Sequence, residues 1–214
     1  MARAKGGKRR NKVRFKWTKE LTFFLIGFVV VIAIMIYCLI PTKQRSFYNK
    51  WYTDDNSLQL DNQFEEINYK NLKKKIDNGE LVYVYYALDT DDTSKTDIGI
   101  LDHYTNQYKS SSADTHYNVG TIYVYDATEA SELDKDDSKK LAAFNEKEDY
   151  FNSIKGENIK NDISLETYCQ LWIFNKGELV FSSEDIASDS QASSQGANFT
   201  LYAIKFLGFY LTNE

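Results

Sequence analysis

The chain has 214 residues and a net charge of −5, which allows one ordinary domain and a further segment. Two cysteines and two histidines exclude a multi-bridge disulfide scaffold and leave little material for a zinc centre. The overall charge hides a sharp division along the chain. Residues 1–20 hold nine of the 26 basic residues and one of the 31 acidic ones, so the part beyond residue 40 sets 17 basic against 30 acidic residues.

Between these parts runs LTFFLIGFVVVIAIMIYCLI, residues 21–40, without a charge. Twenty residues of helix rise about 30 Å, the thickness of a hydrocarbon core, and predict a membrane-spanning segment held in lipid. A cleaved signal peptide has a shorter apolar core and an A-x-A-like end, and Tyr37-Cys38-Leu39-Ile40-Pro41 does not supply one. The basic arm then places the N-terminus in the cytoplasm and the acidic part outside it. The arm reads as a topology signal lying on anionic headgroups rather than as a nucleic-acid tail, because no aromatic stacking platform accompanies it. The single proline and the wealth of Lys, Asn, Asp, Ile and Tyr match the bias of an AT-rich genome, and a bacterial source is expected.

Residues 41–63 read as a juxtamembrane linker whose Phe47, Tyr48, Trp51 and Tyr52 sit at headgroup level. From Phe64 onward a folded domain is expected. Phe64, Ile67, Leu72 and Ile76 suit one face of an amphipathic helix stopped at Asn78-Gly79. Leu81 to Leu88 is a continuous apolar and aromatic run, expected to be a strand covered on both faces. Ser94 and Asp97 stand at capping-box spacing before a second helix, IGILDHYTNQYK. Thr121 to Ala127 predicts a second buried strand, and Ser138 to Glu148 a helix within a polar region. Gln170 to Phe174 and Leu179 to Ser182 form a hairpin across Asn175-Lys176-Gly177. A serine-rich loop leads to a last helix with Leu201, Ile204, Leu207, Tyr210 and Leu211 on one face. The product is an α/β fold: a mixed sheet of about four strands flanked by helices.

This order, with LVYVYYA, TIYVYDA and LWIFNKGELVF in it, resembles the thioredoxin superfamily over residues 64–214. The resemblance implies a Cys-x-x-Cys pair at the start of the helix after the first central strand, where a helix N-terminus stabilises a thiolate. The corresponding stretch, DTDDTSKTD, carries Asp89, Asp91, Asp92, Ser94 and Asp97 and no cysteine. The family's cis-proline position falls at or within a residue of Cys169, where a trans peptide is expected. Kinship with the thioredoxin-like helpers of bacteriocin export is a further implication of the resemblance.

Asp89, Asp91 and Asp92 begin like a calcium loop, but Ser94 and Ile100 stand where an EF-hand needs Gly and Glu, so solvated, helix-capping acids are the default. His103 and His116 have no third ligand at a recognised spacing. Cys169 packs as a small hydrophobe or, alternatively, acts as a lone thiol, with nearby acids raising its pKa. The expectation is a redox-inactive accessory module of an envelope or secretion assembly, with a protein partner and no cofactor, metal or nucleic acid. The alternative is a thiol-disulfide oxidoreductase or redox sensor working through Cys169 alone.

Overall fold

A computed structural model describes residues 18–39, 43–111, 120–189 and 195–209. The basic arm before residue 18, His116, Tyr210 and Leu211 lie outside the described residues. The chain divides into two compact units between Pro41 and Thr42. The first holds one helix, α1 (Lys19–Leu39), whose Phe23, Phe24, Val29 and Met35 are exposed along its length. The described side chains of α1 end at Met35, and among the described residues no helix is long and apolar enough to cross a membrane.

The second unit contains α2 (Lys43–Trp51), β1 (Phe64–Ile67), α3 (Tyr69–Asp77), β2 (Val82–Ala87), α4 (Asp92–Ser111) and β3 (Ile122–Asp126). It continues with α5 (Thr128–Ser131), α6 (Ser138–Ser153), β4 (Gln170–Asn175), β5 (Glu178–Ser182), α7 (Ser183–Asp189) and α8 (Gln195–Leu207). The five strands form one sheet in the order β1-β3-β2-β4-β5. Strands β1, β3 and β2 run parallel, with Tyr83 opposite Ile122 and Ala87 opposite Asp126. Strand β4 pairs antiparallel with β2, and β5 antiparallel with β4. Every residue of β2 is buried, as its unbroken apolar run predicts for a strand covered on both faces.

Side-chain alternation along β2 builds two cores. Tyr83 and Tyr85 enter one with Ile98 and Leu101 of α4 and Phe199, Ala203 and Phe206 of α8. Val82, Val84 and Tyr86 enter the other with Leu72 and Ile76 of α3 and Phe144 and Phe151 of α6. The hairpin turn is Lys176-Gly177, both at positive φ (53° and 87°), the geometry that matches the right-handed twist of its strands.

Several expectations are corrected. The sheet has a fifth strand because Phe64 to Ile67, expected as the start of a helix, pairs with β3. In a strand, residues three apart face opposite sides of the sheet, and Phe64 enters one core while Ile67 enters the other. The helix starts only at Tyr69, where the Asn68 side chain accepts a hydrogen bond from the Asn71 amide at 2.9 Å. Residues 43–63 are part of the compact unit rather than a linker. Phe47 and Trp51, spaced four apart, lie on one face of α2 and are buried, Phe47 stacking on Phe64 at 5.4 Å. Of the expected interfacial aromatics Tyr52 is 40% exposed and Tyr48 is half-buried. In α8 the buried face is Phe199, Ala203, Phe206 and Leu207, whereas Leu201 is 38% exposed. Choosing the larger aliphatic residues turned the expected face around the helix.

The β5 flank of the sheet is capped by backbone. The Leu179 amide donates to the Ile154 carbonyl at 2.8 Å, and the Gly156 amide donates to the Leu179 carbonyl at 2.9 Å. A Cβ on Gly156 would stand 2.9 Å from that same carbonyl oxygen, so the close approach requires glycine.

Candidate functional site

The parallel strands end together, and α4 begins where β2 stops. Its first turn is held by Asp91, whose Oδ2 accepts a hydrogen bond from the Ser94 amide at 2.7 Å. The expected capping box at Ser94 and Asp97 is therefore displaced, with Asp91 as the cap. Ser94 lies inside the helix and is fully buried. Its Oγ accepts a hydrogen bond from the Leu88 amide at 3.2 Å and lies 3.3 Å from Cys169 Sγ. Ser94 thus closes the turn between β2 and α4 and also touches the residue that precedes β4.

Cys169 is brought there by the sheet. Its amide donates to the Tyr86 carbonyl at 2.9 Å, which extends the β2–β4 ladder by one bond. The peptide before it is trans, and its φ is 65°, in the left-handed region that non-glycine residues seldom occupy. The thiol is half-buried, donating weakly toward Asp91 Oδ2 at 4.0 Å. Burial pushes the thiol up to about 11; Asp97 and Asp91 push the same way, while hydrogen bonds from Ser94 and Tyr85 oppose them. At neutral pH the thiol is therefore almost wholly protonated. A thiol so protonated is a poor nucleophile.

Asp97 completes the cluster and departs from the solvated-acid expectation. It lies one turn into α4 on the inward face, 4% exposed. The Tyr85 hydroxyl donates to Asp97 Oδ2 at 3.0 Å. Burial pushes the Asp97 carboxyl up to about 7, the Tyr85 and Cys169 hydrogen bonds oppose that, and Asp91 adds to it. The Tyr85 phenol is itself raised, chiefly by burial. Tyr85 was not distinguishable from the other strand tyrosines in the sequence. The only available signal was an acid at Asp97, on the helical face otherwise occupied by Ile98 and Leu101.

The remaining acids of the loop separate. Asp92 is exposed. Asp89 pairs with Lys50 of α2 at 2.9 Å, and the same ammonium reaches Glu66 at 2.8 Å and Asp126 at 3.4 Å. Burial works against the Lys50 charge, but hydrogen bonds to Glu66 and Asp89 outweigh it and raise its pKa. Of the three acids that begin like a calcium loop, Asp89 is therefore held by an ammonium, Asp91 by the first turn of α4, and Asp92 stands in solvent. Among the described residues no group of three His, Cys, Asp or Glu side chains is disposed to hold a metal ion. His103 is exposed on α4, edge-on to Tyr104.

The structure thus joins Asp91, Ser94, Asp97 and Cys169 in one cluster with Tyr85, and leaves Asp89 and Asp92 outside it. Chemically the cluster is a hydrogen-bonded, proton-holding centre without a second sulfur. No protein-family model matches the chain, and neither the curated proteins nor the solved structures contain a match to it.

Proposed function

We infer that the chain is a single-pass membrane protein, cytoplasmic at its N-terminus, whose larger unit is a thioredoxin-like domain outside the cytoplasm. The domain is redox-inactive and serves as an interaction or accessory module of an envelope or secretion assembly. The anchor reading is supported by the uncharged run 21–40, by the exposed apolar side chains of α1 and by the basic arm before it. The fold reading is supported by the strand order and by an antiparallel hairpin following three parallel strands. Both features accord with the resemblance carried by LVYVYYA, TIYVYDA and LWIFNKGELVF.

One observation carries the redox-inactive reading: at the start of α4 the chain places Asp91 and Ser94 three residues apart, and they meet the protonated thiol of Cys169 rather than forming a dithiol. Disulfide exchange needs a thiolate, and an acidic, buried setting withholds it. The alternative, a lone-thiol oxidoreductase or redox sensor, draws on the left-handed backbone at Cys169, since strain of that kind clusters at functional sites.

Thiol trapping separates the two. With the full chain in membranes, Cys169 is expected to resist alkylation until the protein is denatured. Rapid native alkylation, or mixed disulfides that vanish in Cys169→Ser, would overturn the inactive reading in favour of the lone thiol. Because Cys38 is also a thiol, the comparison is made in a Cys38→Ser background. Topology is read separately, by protease accessibility of the larger unit in intact cells and in inverted vesicles. Protection in intact cells together with cleavage in inverted vesicles would refute the orientation.

A further inference from the structure

Residues 52–63 connect α2 to β1 without helix or strand and lie against α4 as a strap. Most of the seat is neutral. Asn56 Nδ2 donates to the Lys95 carbonyl at 3.2 Å, and Ser57 Oγ donates to the Gly99 carbonyl at 2.8 Å. Gly99 is where the two surfaces come closest, because a Cβ there would stand 2.9 Å from Asn56 Cβ and 3.0 Å from the Ser57 nitrogen. Leu58 is buried beneath the strap. The far end is folded on itself, Asn62 Nδ2 donating to the Gln59 carbonyl at 2.8 Å and its Oδ1 accepting from the Phe64 amide at 3.1 Å.

Asp102 is the ionisable member of this seat. It lies on α4, 1% exposed, and its Oδ2 accepts a hydrogen bond from the Gln59 amide at 2.8 Å. The carboxyl is therefore covered by the segment it holds. The charged groups facing it are Lys109, two turns further along α4, which favours its ionised form, and Asp61 of the strap, which opposes it; the Asn106 side chain also hydrogen-bonds the carboxyl. Burial is the strongest influence and pushes the carboxyl up to about 6. An ionised group under such cover gains hydration if the cover lifts. Residues 52–63 are tied at both ends, the Tyr52 amide donating to the Tyr48 carbonyl at 2.8 Å and the Gln63 carbonyl accepting from the Ile122 amide at 3.0 Å, and between these ties the segment can lift without breaking a ladder or a helix.

We propose that residues 52–63 form a proton-controlled clasp on α4, seated while the Asp102 carboxyl is protonated and loosened once it ionises. The direction follows from linkage. The seated state holds the proton more tightly than an exposed carboxyl does, so seating is fully favoured below the ordinary carboxylate pKa and weakens as pH rises through about 6. Opening exposes the 52–63 edge of the domain and withdraws Leu58 from the core beneath the strap, so the clasp regulates an apolar surface at that edge.

The test is hydrogen exchange of the Gln59 amide in the full chain in detergent, with rates corrected for the intrinsic effect of pH. Protection is expected to fall about tenfold from pH 5 to pH 7.5, the ratio that a shift to about 6 implies. Asp102→Asn is expected to abolish that pH dependence. Asp61→Asn, which removes the opposing charge, moves the fall to lower pH and keeps the test decisive if the first variant does not fold. Gly99→Ala crowds Asn56 and Ser57 and lowers protection at both pH values. Constant protection in the wild type, the same fall in Asp102→Asn, an unmoved fall in Asp61→Asn, or wild-type protection in Gly99→Ala would each overturn the proposal.

Discussion

Tyr85 and Tyr86 are neighbours in β2, equally buried, and point to opposite faces of the sheet. On the α3–α6 face the Tyr86 hydroxyl donates to the Leu165 backbone carbonyl at 2.8 Å, and its ring stacks on Trp172 at 5.1 Å. On the α4–α8 face the Tyr85 hydroxyl meets the Asp97 carboxylate. The first face is an aromatic core whose buried polar ends find neutral partners, Trp172 Nε1 donating to Gln170 Oε1 at 3.1 Å, and only at its rim does the Tyr150 hydroxyl donate to the Asp77 carboxylate. The second holds both fully covered carboxyls of α4, Asp97 and Asp102. The buried centre of one side of the sheet therefore carries packing energy that pH leaves alone between 5 and 8, while the other side covers two carboxyls.

The most severe break of this comparison is expected on the aromatic face. Phe151 is fully buried, with ring centroids 5.5 Å from Trp172, 5.8 Å from Phe174 and 5.9 Å from Tyr69. Phe151→Ala should cost about 3–5 kcal/mol in denaturant unfolding, by the same amount at pH 5 and pH 8. A cost that varied with pH would contradict the division between faces.

The α4 face should respond to pH instead. Asp97 is raised from 3.8 to about 7, so its protonated form favours the folded state; that stability is complete below pH about 4 and is lost as pH rises through 7. Asp97→Asn removes the loss. Its unfolding free energy should gain on the wild type by about 2 kcal/mol between pH 5 and pH 8. Parallel pH profiles for the two proteins would show that Asp97 is not held as the structure implies.

The smallest effect sharpens the comparison at single atoms. Tyr86→Phe leaves the Leu165 carbonyl without its donor and should cost about 1–2 kcal/mol at any pH. Tyr85→Phe deprives Asp97 of the hydrogen bond that lowers its pKa, so its cost, of similar size, should grow as the carboxyl ionises. Equal pH dependence in the two variants, measured by urea midpoints, would erase the distinction.

Much of the sheet was legible because its strands have strong local patterns. The run Val82 to Ala87 is apolar at every position, and Lys176-Gly177 supplies the positive φ that a tight hairpin requires. Strand β1 was hidden because four residues with apolar ends carry no period of their own; its pairing with β3 comes from tertiary structure. Phe47 and Trp51 were read by their distance from the apolar run, and their burial depends on Phe64, which only the fold brings beside them. Cys169 stands out in the sequence as the lone cysteine beyond residue 40. Its partners, Ser94, Tyr85 and Asp97, are joined to it by the antiparallel pairing of β4 with β2, and Asp102 gave no signal because its burial depends on a strap with no regular pattern.

The backbone cap on β5 has a consequence for assembly. With Leu179 bonded to Ile154 and Gly156, another chain cannot pair at that point of the margin, and the carbonyl contact at Gly156 leaves no room for a strand inserted there. Lengthening of the sheet by intermolecular pairing, whether with a client peptide or in the first step of a fibril, is thereby directed to the opposite border, where β1 is only four residues long.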